Sequence, residues 1–185
     1  MNKLIFSLIS AFTLTACIGP KPSYKKLEQE FSSSETSAQS YSPEDPQVKV
    51  LQEKFINAFS KYEQAHLQAT LPDLYADNAY LNDRLAEMKG KPKIVEYFLE
   101  GADKVKYAGF DLQTPNHNGI DFYFPWVMKI QLKDSDEEPW RFHGISRVRF
   151  NQKGQIIFHY DYWDVAEFMA EVSAVRPIVN LFKSN

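Results

Sequence analysis

The spacing of the apolar residues changes at Val105, and that change restricts the fold more than any other feature of the 185-residue chain. Before it, apolar side chains recur every three or four positions, the spacing that lays one stripe along a helix. Val48, Leu51, Phe55, Ala58, Phe59, Tyr62 and Ala65 predict a long helix reaching about Gln68. It opens at Asp45-Pro46, a good cap followed by a good first-turn residue. Thr70-Leu71-Pro72 predicts a short second helix that fades near Asp77-Asn78, followed by a short strand from Ala79 to Asn82. Gly90-Lys91-Pro92 opens a third helix, with Ile94, Val95, Phe98, Leu99 and Ala102 on its inner face. After Val105, segments near 106–114, 120–132, 139–151 and 155–163 read as strands broken by turn-forming stretches. Asp164 then caps a final helix to about Phe182, with Val165, Phe168, Met169, Val172 and Val175 as its stripe. Helices first, then an antiparallel meander, predict an α+β domain with helices on one face of a curved sheet.

Period-two alternation sorts the strand residues onto two faces. If Asp161 points inward, so do Ile157, His159 and Trp163. Trp140, Phe142, Gly144 and Ser146 would line the same space, with Phe122, Phe124, Trp126, Met128 and Ile130 as the apolar face of the strand before. The outer face would carry Arg147, Arg149, Phe158, Tyr160 and Tyr162, and exposed aromatics beside charges there predict a homodimer built sheet to sheet.

Composition removes several functions. Net charge is −3 with no basic patch, which argues against nucleic acid as a partner. The one cysteine permits no internal disulfide and no cysteine metal cluster. The four histidines, 66, 117, 143 and 159, have no zinc-ligand spacing, and a His159–Asp161 metal site lacks a third ligand. No cofactor is called for.

The cysteine stands in a telling place. A positive start at Lys3 and an apolar run from Leu4 to Leu14, too short to span a bilayer, lead into Leu14-Thr15-Ala16-Cys17. This resembles the lipobox of bacterial lipoproteins. The resemblance implies a signal peptide over 1–16 and several acyl chains on Cys17, which anchor far better than one. Ile18 in place of Asp implies the outer membrane, facing the periplasm. Residues 18–45 are rich in Ser, Pro, Lys and Glu, and are expected to form a flexible tether with ends about 30 Å apart. The domains are thus 1–16, 17–45 and 46–185.

The order of elements, and the wording of several segments, resemble the nuclear transport factor 2-like superfamily in its SnoaL-like branch. Leu74-Tyr75-Ala76-Asp77 before Ala79-Tyr80, Gly90-Lys91 with Ile94 and Tyr97-Phe98, and His143-Gly144-Ile145-Ser146 carry part of the likeness. Arg149-Phe150, Lys153-Gly154-Gln155-Ile156 and His159 to Asp164 carry the rest. The resemblance implies a cone enclosing one pocket. It would hold a small, mainly apolar molecule among Trp126, Met128, Trp140, Phe142, His159 and Trp163. One member, limonene-1,2-epoxide hydrolase, uses Asp-Arg-Asp with a Tyr and an Asn. Tyr80, Asn82 and Asp161 match the Tyr, the Asn and one Asp, but the Arg-x-Asp pair falls on Pro125 and Val127 or on Trp126 and Met128. With one carboxylate supplying either acid or base but not both, epoxide opening of that type is not expected. Three other roles stay open. Asp161 could serve as general base of an isomerase-like or hydrolase-like enzyme, aided by Asn82 and with Tyr80 donating to a developing oxyanion; the same groups could only shape the pocket; or the outer sheet face could bind a second copy or a partner lipoprotein, as a dimeric interaction module of the cell envelope.

Overall fold

A computed structural model describes residues 24–133 and 138–171. The signal segment, Cys17 and the later part of the expected final helix, 172–182, lie outside the described residues. The helices are α1 (Tyr24–Ser37), α2 (Pro46–Phe59), α3 (Gln64–Leu74), α4 (Lys91–Lys104) and α5 (Val165–Glu171). The strands are β1 (Tyr75–Asn82), β2 (Glu87–Lys89), β3 (Val105–Leu112), β4 (Asn116–Asn118), β5 (Asp121–Leu132), β6 (Trp140–Phe150) and β7 (Ile156–Trp163). They form one sheet in the order β2-β1-β7-β6-β5-β3, with β4 also paired to β5. Every pairing is antiparallel except β1 with β7, which is parallel. The α+β class expected from the sequence is the one observed.

Local chemistry sets the helix boundaries. Asp45 caps α2 by accepting from the Gln47 amide at 2.8 Å, with Pro46 in the first turn. Val48, Leu51, Phe55, Ala58 and Phe59 face the core. The expected run to Gln68 is instead two helices, because the Ser60 hydroxyl donates to the Asn57 carbonyl at 2.8 Å and the chain turns before Gln64. Pro72 lies inside α3 and does not open a new helix. Gly90, at φ 94°, donates its amide to Ala79 O at 2.7 Å and starts α4 from a backbone conformation that few other residues adopt.

The core lies between the helices and the inner face of the sheet. Phe55 stacks on Phe124 with centroids 3.8 Å apart. Leu67, Leu71, Leu74, Ile94 and Phe122 are fully buried. Each such side chain contributes about 1.5–3 kcal/mol by leaving water. A register shift between Arg149 and Phe150 turns Ile156 into this core where alternation pointed to Ile157.

The stretch expected to be tether contains α1, which packs on the outer face of the sheet. Two apolar residues, Leu27 and Phe31, lie four apart and meet Tyr80, Phe158 and Tyr160. The rest of the attachment is polar. Fully buried Arg149 donates to Phe31 O and to Ser34 Oγ, both at 2.7 Å, and to Asp121 Oδ1 at 2.7 Å. Arg147 reaches the same carboxylate at 2.9 and 2.5 Å. Both guanidiniums lie over the Phe31 ring, at 4.4 Å for Arg147 and 4.1 Å for Arg149. Alone, so polar a segment is a marginal helix; docking makes it one. α1 thus covers part of the face assigned to a homodimer, and of its aromatics Phe158 and Tyr160 are buried, while Tyr162 and the neighbouring Ile145 stay exposed.

Candidate functional site

A cavity of about 320 Å³ opens at the end of the sheet where β1, β5 and β7 finish and β3 begins. Its walls are Phe98, Phe110, Trp126, Met128, Ile130 and Trp163, with Phe168 of α5 and Tyr62 and Tyr97 from the helical side. Three carboxylates reach this surface: Glu100 is exposed and paired with Lys104 at 3.9 Å, while Asp83 and Asp161 enter its apolar part. Beyond them a recess of about 20 Å³ adds Ser146 and His159. The cone is neither solid nor plugged by its tryptophans.

Asp161 belongs to a hydrogen-bonded row that crosses three strands. Trp126 Nε1 donates to Ser146 Oγ at 3.0 Å, and Ser146 donates to Asp161 Oδ1 at 2.5 Å. His159 Nε2 meets the same Oδ1 at 3.0 Å, and its Nδ1 lies 2.6 Å from the Tyr75 hydroxyl. Burial pushes the Tyr75 phenol well up, so it keeps its proton and donates to Nδ1. That assigns the ring proton to Nε2, directed at the carboxylate. Among the described residues Oδ2 of Asp161 accepts no hydrogen bond, which leaves one oxygen toward the cavity.

Asp83 is held by a different set. It accepts from the amides of Leu85 and Ala86, at 3.0 and 2.8 Å, and from the Tyr97 hydroxyl. Trp163 Nε1 donates to its backbone carbonyl at 2.7 Å. Burial raises its pKa, opposed by those donors and reinforced by the charge of Asp161. The two acids therefore differ in setting: Asp83 is biased toward the protonated form, while Asp161 takes two donors on one oxygen.

The structure separates the residues that the sequence grouped. Tyr80 and Asn82 lie on the outer face: Tyr80 is buried, stacks on Phe158 at 5.6 Å and accepts from Asn82 Nδ2 at 3.2 Å beneath α1. They cannot reach Asp161. The parallel pairing sets this phase, aligning Tyr80 with Phe158 and Leu81 with His159, so the inner face of β1 carries Ala79 and Leu81 and continues to Asp83. Trp126, Met128 and Trp163 line the cavity, and His159 lies in the recess beyond. Trp140 and Phe142 instead pack on Phe168, at 6.2 and 5.7 Å, behind the wall. Asp83, Tyr75 and Tyr97 were missed. The signal for Asp83 was the odd-number parity it shares with Ala79 and Leu81; Tyr75 lies before the register shift and Tyr97 on α4, where strand parity says nothing.

No family model and no curated protein sequence matches the chain. Solved structures do. A candidate SnoaL-like polyketide cyclase from Jannaschia sp. CCS1 is 11% identical, with a TM-score of 0.60, over 74% of this chain and 98% of that one. A protein with a ketosteroid isomerase-like fold from Catenulispora acidiphila, in complex with trimethylamine, is 15% identical with a TM-score of 0.55, over 70% of this chain and 92% of that one. An LEH-like epoxide hydrolase from M. tuberculosis is 15% identical with a TM-score of 0.51, over 73% of this chain and 94% of that one. At these identities the likeness establishes the fold, a cone of the nuclear transport factor 2-like kind, and nothing about chemistry.

Proposed function

We propose that this cone binds one small, mainly apolar molecule, and that the chain is a lipoprotein anchored through Cys17. The observation that carries the binding reading is the cavity of about 320 Å³, aromatic-walled and entered by Asp83 and Asp161. Ligand sites have that size and that mixture: apolar walls for affinity, a few polar groups for orientation. Asp161 Oδ2 suits a hydroxyl donor, and a protonated Asp83 suits a carbonyl or ether oxygen.

The first test uses lipid-free protein beginning at residue 18 and equilibrium dialysis with naphthalene and 1-naphthol. Both are expected to bind in one-to-one ratio, displacing each other and changing the emission of Trp126 and Trp163. A hydrogen bond to a charged acceptor is worth about 1.5–3 kcal/mol, so naphthol should bind at least tenfold tighter. Asp161→Asn should remove most of that advantage. Equal affinity of the two probes for the parent protein would count against Asp161 as the polar contact. For the ketone 1-tetralone the sign differs: Asp83 donates only when protonated, so affinity should fall as pH rises through its raised pKa. The anchor is tested by mass spectrometry of the N-terminal peptide of membrane-extracted protein. Acyl chains on Cys17, and their loss in Cys17→Ser, are expected; an unmodified thiol refutes the anchor.

A second reading is favoured by the presence of two carboxylates in unlike settings around one cavity. Asp161 would take a proton from a carbon acid or from water while Asp83 gives one to the substrate oxygen. Asp83 thus supplies the second carboxyl that the sequence lacked at the Arg-x-Asp position, although no arginine accompanies it among the cavity residues. Loss of turnover in both Asp83→Asn and Asp161→Asn, with probe binding retained in each, is the expected signature on a panel of epoxides and cyclic enones. Turnover that survives either change refutes it.

A further inference from the structure

We propose that the lipid-bearing end of the chain holds the mouth of this cavity against the bilayer, so that the domain takes up a membrane-dissolved apolar molecule directly from the lipid phase. This rests on the anchor and binding readings above and adds to them an orientation and a ligand source.

The direction of α1 carries the inference. Its first turn lies at the β1–β2 hairpin, where Lys26 pairs with Glu87 and Leu27 packs beside Tyr80 and Tyr160. Its last turn lies at the other end of the sheet, where Ser34 meets Arg149 and the following Gln39 amide donates to Phe150 O at 2.8 Å. The helix therefore runs antiparallel to β7 and begins where β7 ends. That is the cavity's end. Leu85, in the hairpin turn beside Glu87, lines the cavity and is also 47% exposed, which places it on the rim.

Chain length then limits the geometry. Residues 18–23 are all that separate Cys17 from α1. The seven Cα–Cα steps from Cys17 to Tyr24 span at most about 25 Å in any conformation, close to the length of α1 itself, about 21 Å for fourteen residues. Such a leash holds the hairpin end of the domain within that distance of the membrane, while the opposite end is free to stand a helix length farther off. Lys26 is paired with Glu87 and Arg84 donates to the Tyr160 hydroxyl at 2.9 Å, while Lys25, exposed in the first turn of α1, is a cation suited to anionic headgroups. Leu85 is an apolar side chain suited to their boundary with the acyl region. A ligand entering from lipid at this mouth never crosses bulk water, where its apolar surface would be costly to hydrate.

Two single-cysteine variants of the full lipidated chain test this, since acylation blocks the Cys17 thiol. Leu85→Cys lies at the rim. Val50→Cys, equally exposed, lies on α2 beside Leu51, which contacts Gly154 at the far end of the sheet. Each is labelled with a small fluorophore and reconstituted in phosphatidylethanolamine–phosphatidylglycerol vesicles that carry headgroup spin-labelled lipid. At least threefold stronger quenching at 85 than at 50 is expected. Insertion of twenty Gly/Ser residues before Tyr24 should equalise the two and slow loading with pyrene dissolved in the vesicles several-fold. Equal quenching in protein that floats with vesicles overturns the orientation alone. Failure to float overturns the anchor as well. Failure of lipid-free protein to bind naphthalene overturns the cavity reading, whatever the quenching shows.

Discussion

Asp121→Ala should cost about 3–5 kcal/mol in folding stability, among the largest losses available to a substitution outside the apolar core. Asp121 is the acceptor shared by Arg147 and Arg149, and the Arg149 side chain is 1% exposed. Removing one partner of a buried ion cluster leaves the other charges unsolvated, and that penalty has this size. Glu35, 3.6 Å from Arg149 and half-exposed, is a weak substitute. The loss should fall first on α1, because Arg149 ties Phe31 and Ser34 to the sheet. Urea denaturation measures the total, and proteolysis between 24 and 45 should precede cleavage elsewhere. A loss below about 1 kcal/mol would show that the Asp121 cluster is not what holds α1 on the sheet. Acid should act in the same way. Burial opposes ionisation of Asp121, but its bonds to the two arginines prevail and its pKa is lowered. A carboxyl depressed in the folded state contributes stability that is complete above its unfolded value, near 3.9. That contribution is lost as pH falls through the folded value.

Gly144→Ala is the second large effect, and it strikes the site. A Cβ at 144 would lie 2.3 Å from the Trp126 ring, a contact that no relaxation of the methyl can relieve. The indole must move, yet its Nε1 is bonded to Ser146 and its ring lies edge-on to Phe110 at 5.6 Å. Overpacking of this kind costs about 1–3 kcal/mol. The displaced ring also withdraws the donor that orients Ser146 toward Asp161. Affinity for 1-naphthol should drop at least tenfold while the fold persists, as judged by circular dichroism and a cooperative urea transition. Unchanged affinity would mean that Trp126 is not part of the binding wall.

The elements with strong periodicity were legible in the sequence. The inner face of β5 and the alternation of β6 followed directly from period two, because one face is buried and a one-residue slip would reverse it. The strand β1 was not legible in phase. Its partner is the distant β7, pairing is parallel, and a register shift intervenes between Tyr75 and Tyr80. The likeness of Tyr80-x-Asn82 to a known motif then favoured the wrong parity, and Asp83 went unnoticed one residue further on. The helix α1 was invisible for another reason. Its stability comes from Arg149 and Asp121, more than eighty residues away, and no local pattern announces a helix stabilised by guanidiniums beneath its backbone. Its last turn, Ser32-Ser33-Ser34-Glu35-Thr36-Ser37, reads as linker by composition.

The place of β7 has a consequence for the order of folding. The last strand to be synthesised sits between the first strand and the rest of the sheet, joining β1 on one edge and β6 on the other. Until residue 163 is available, β1 and β2 have no partner in the meander, and α1 has only part of its seat. A chain that must thread a translocation channel before it folds, as a cleaved leader would demand, is served by an architecture whose keystone arrives last.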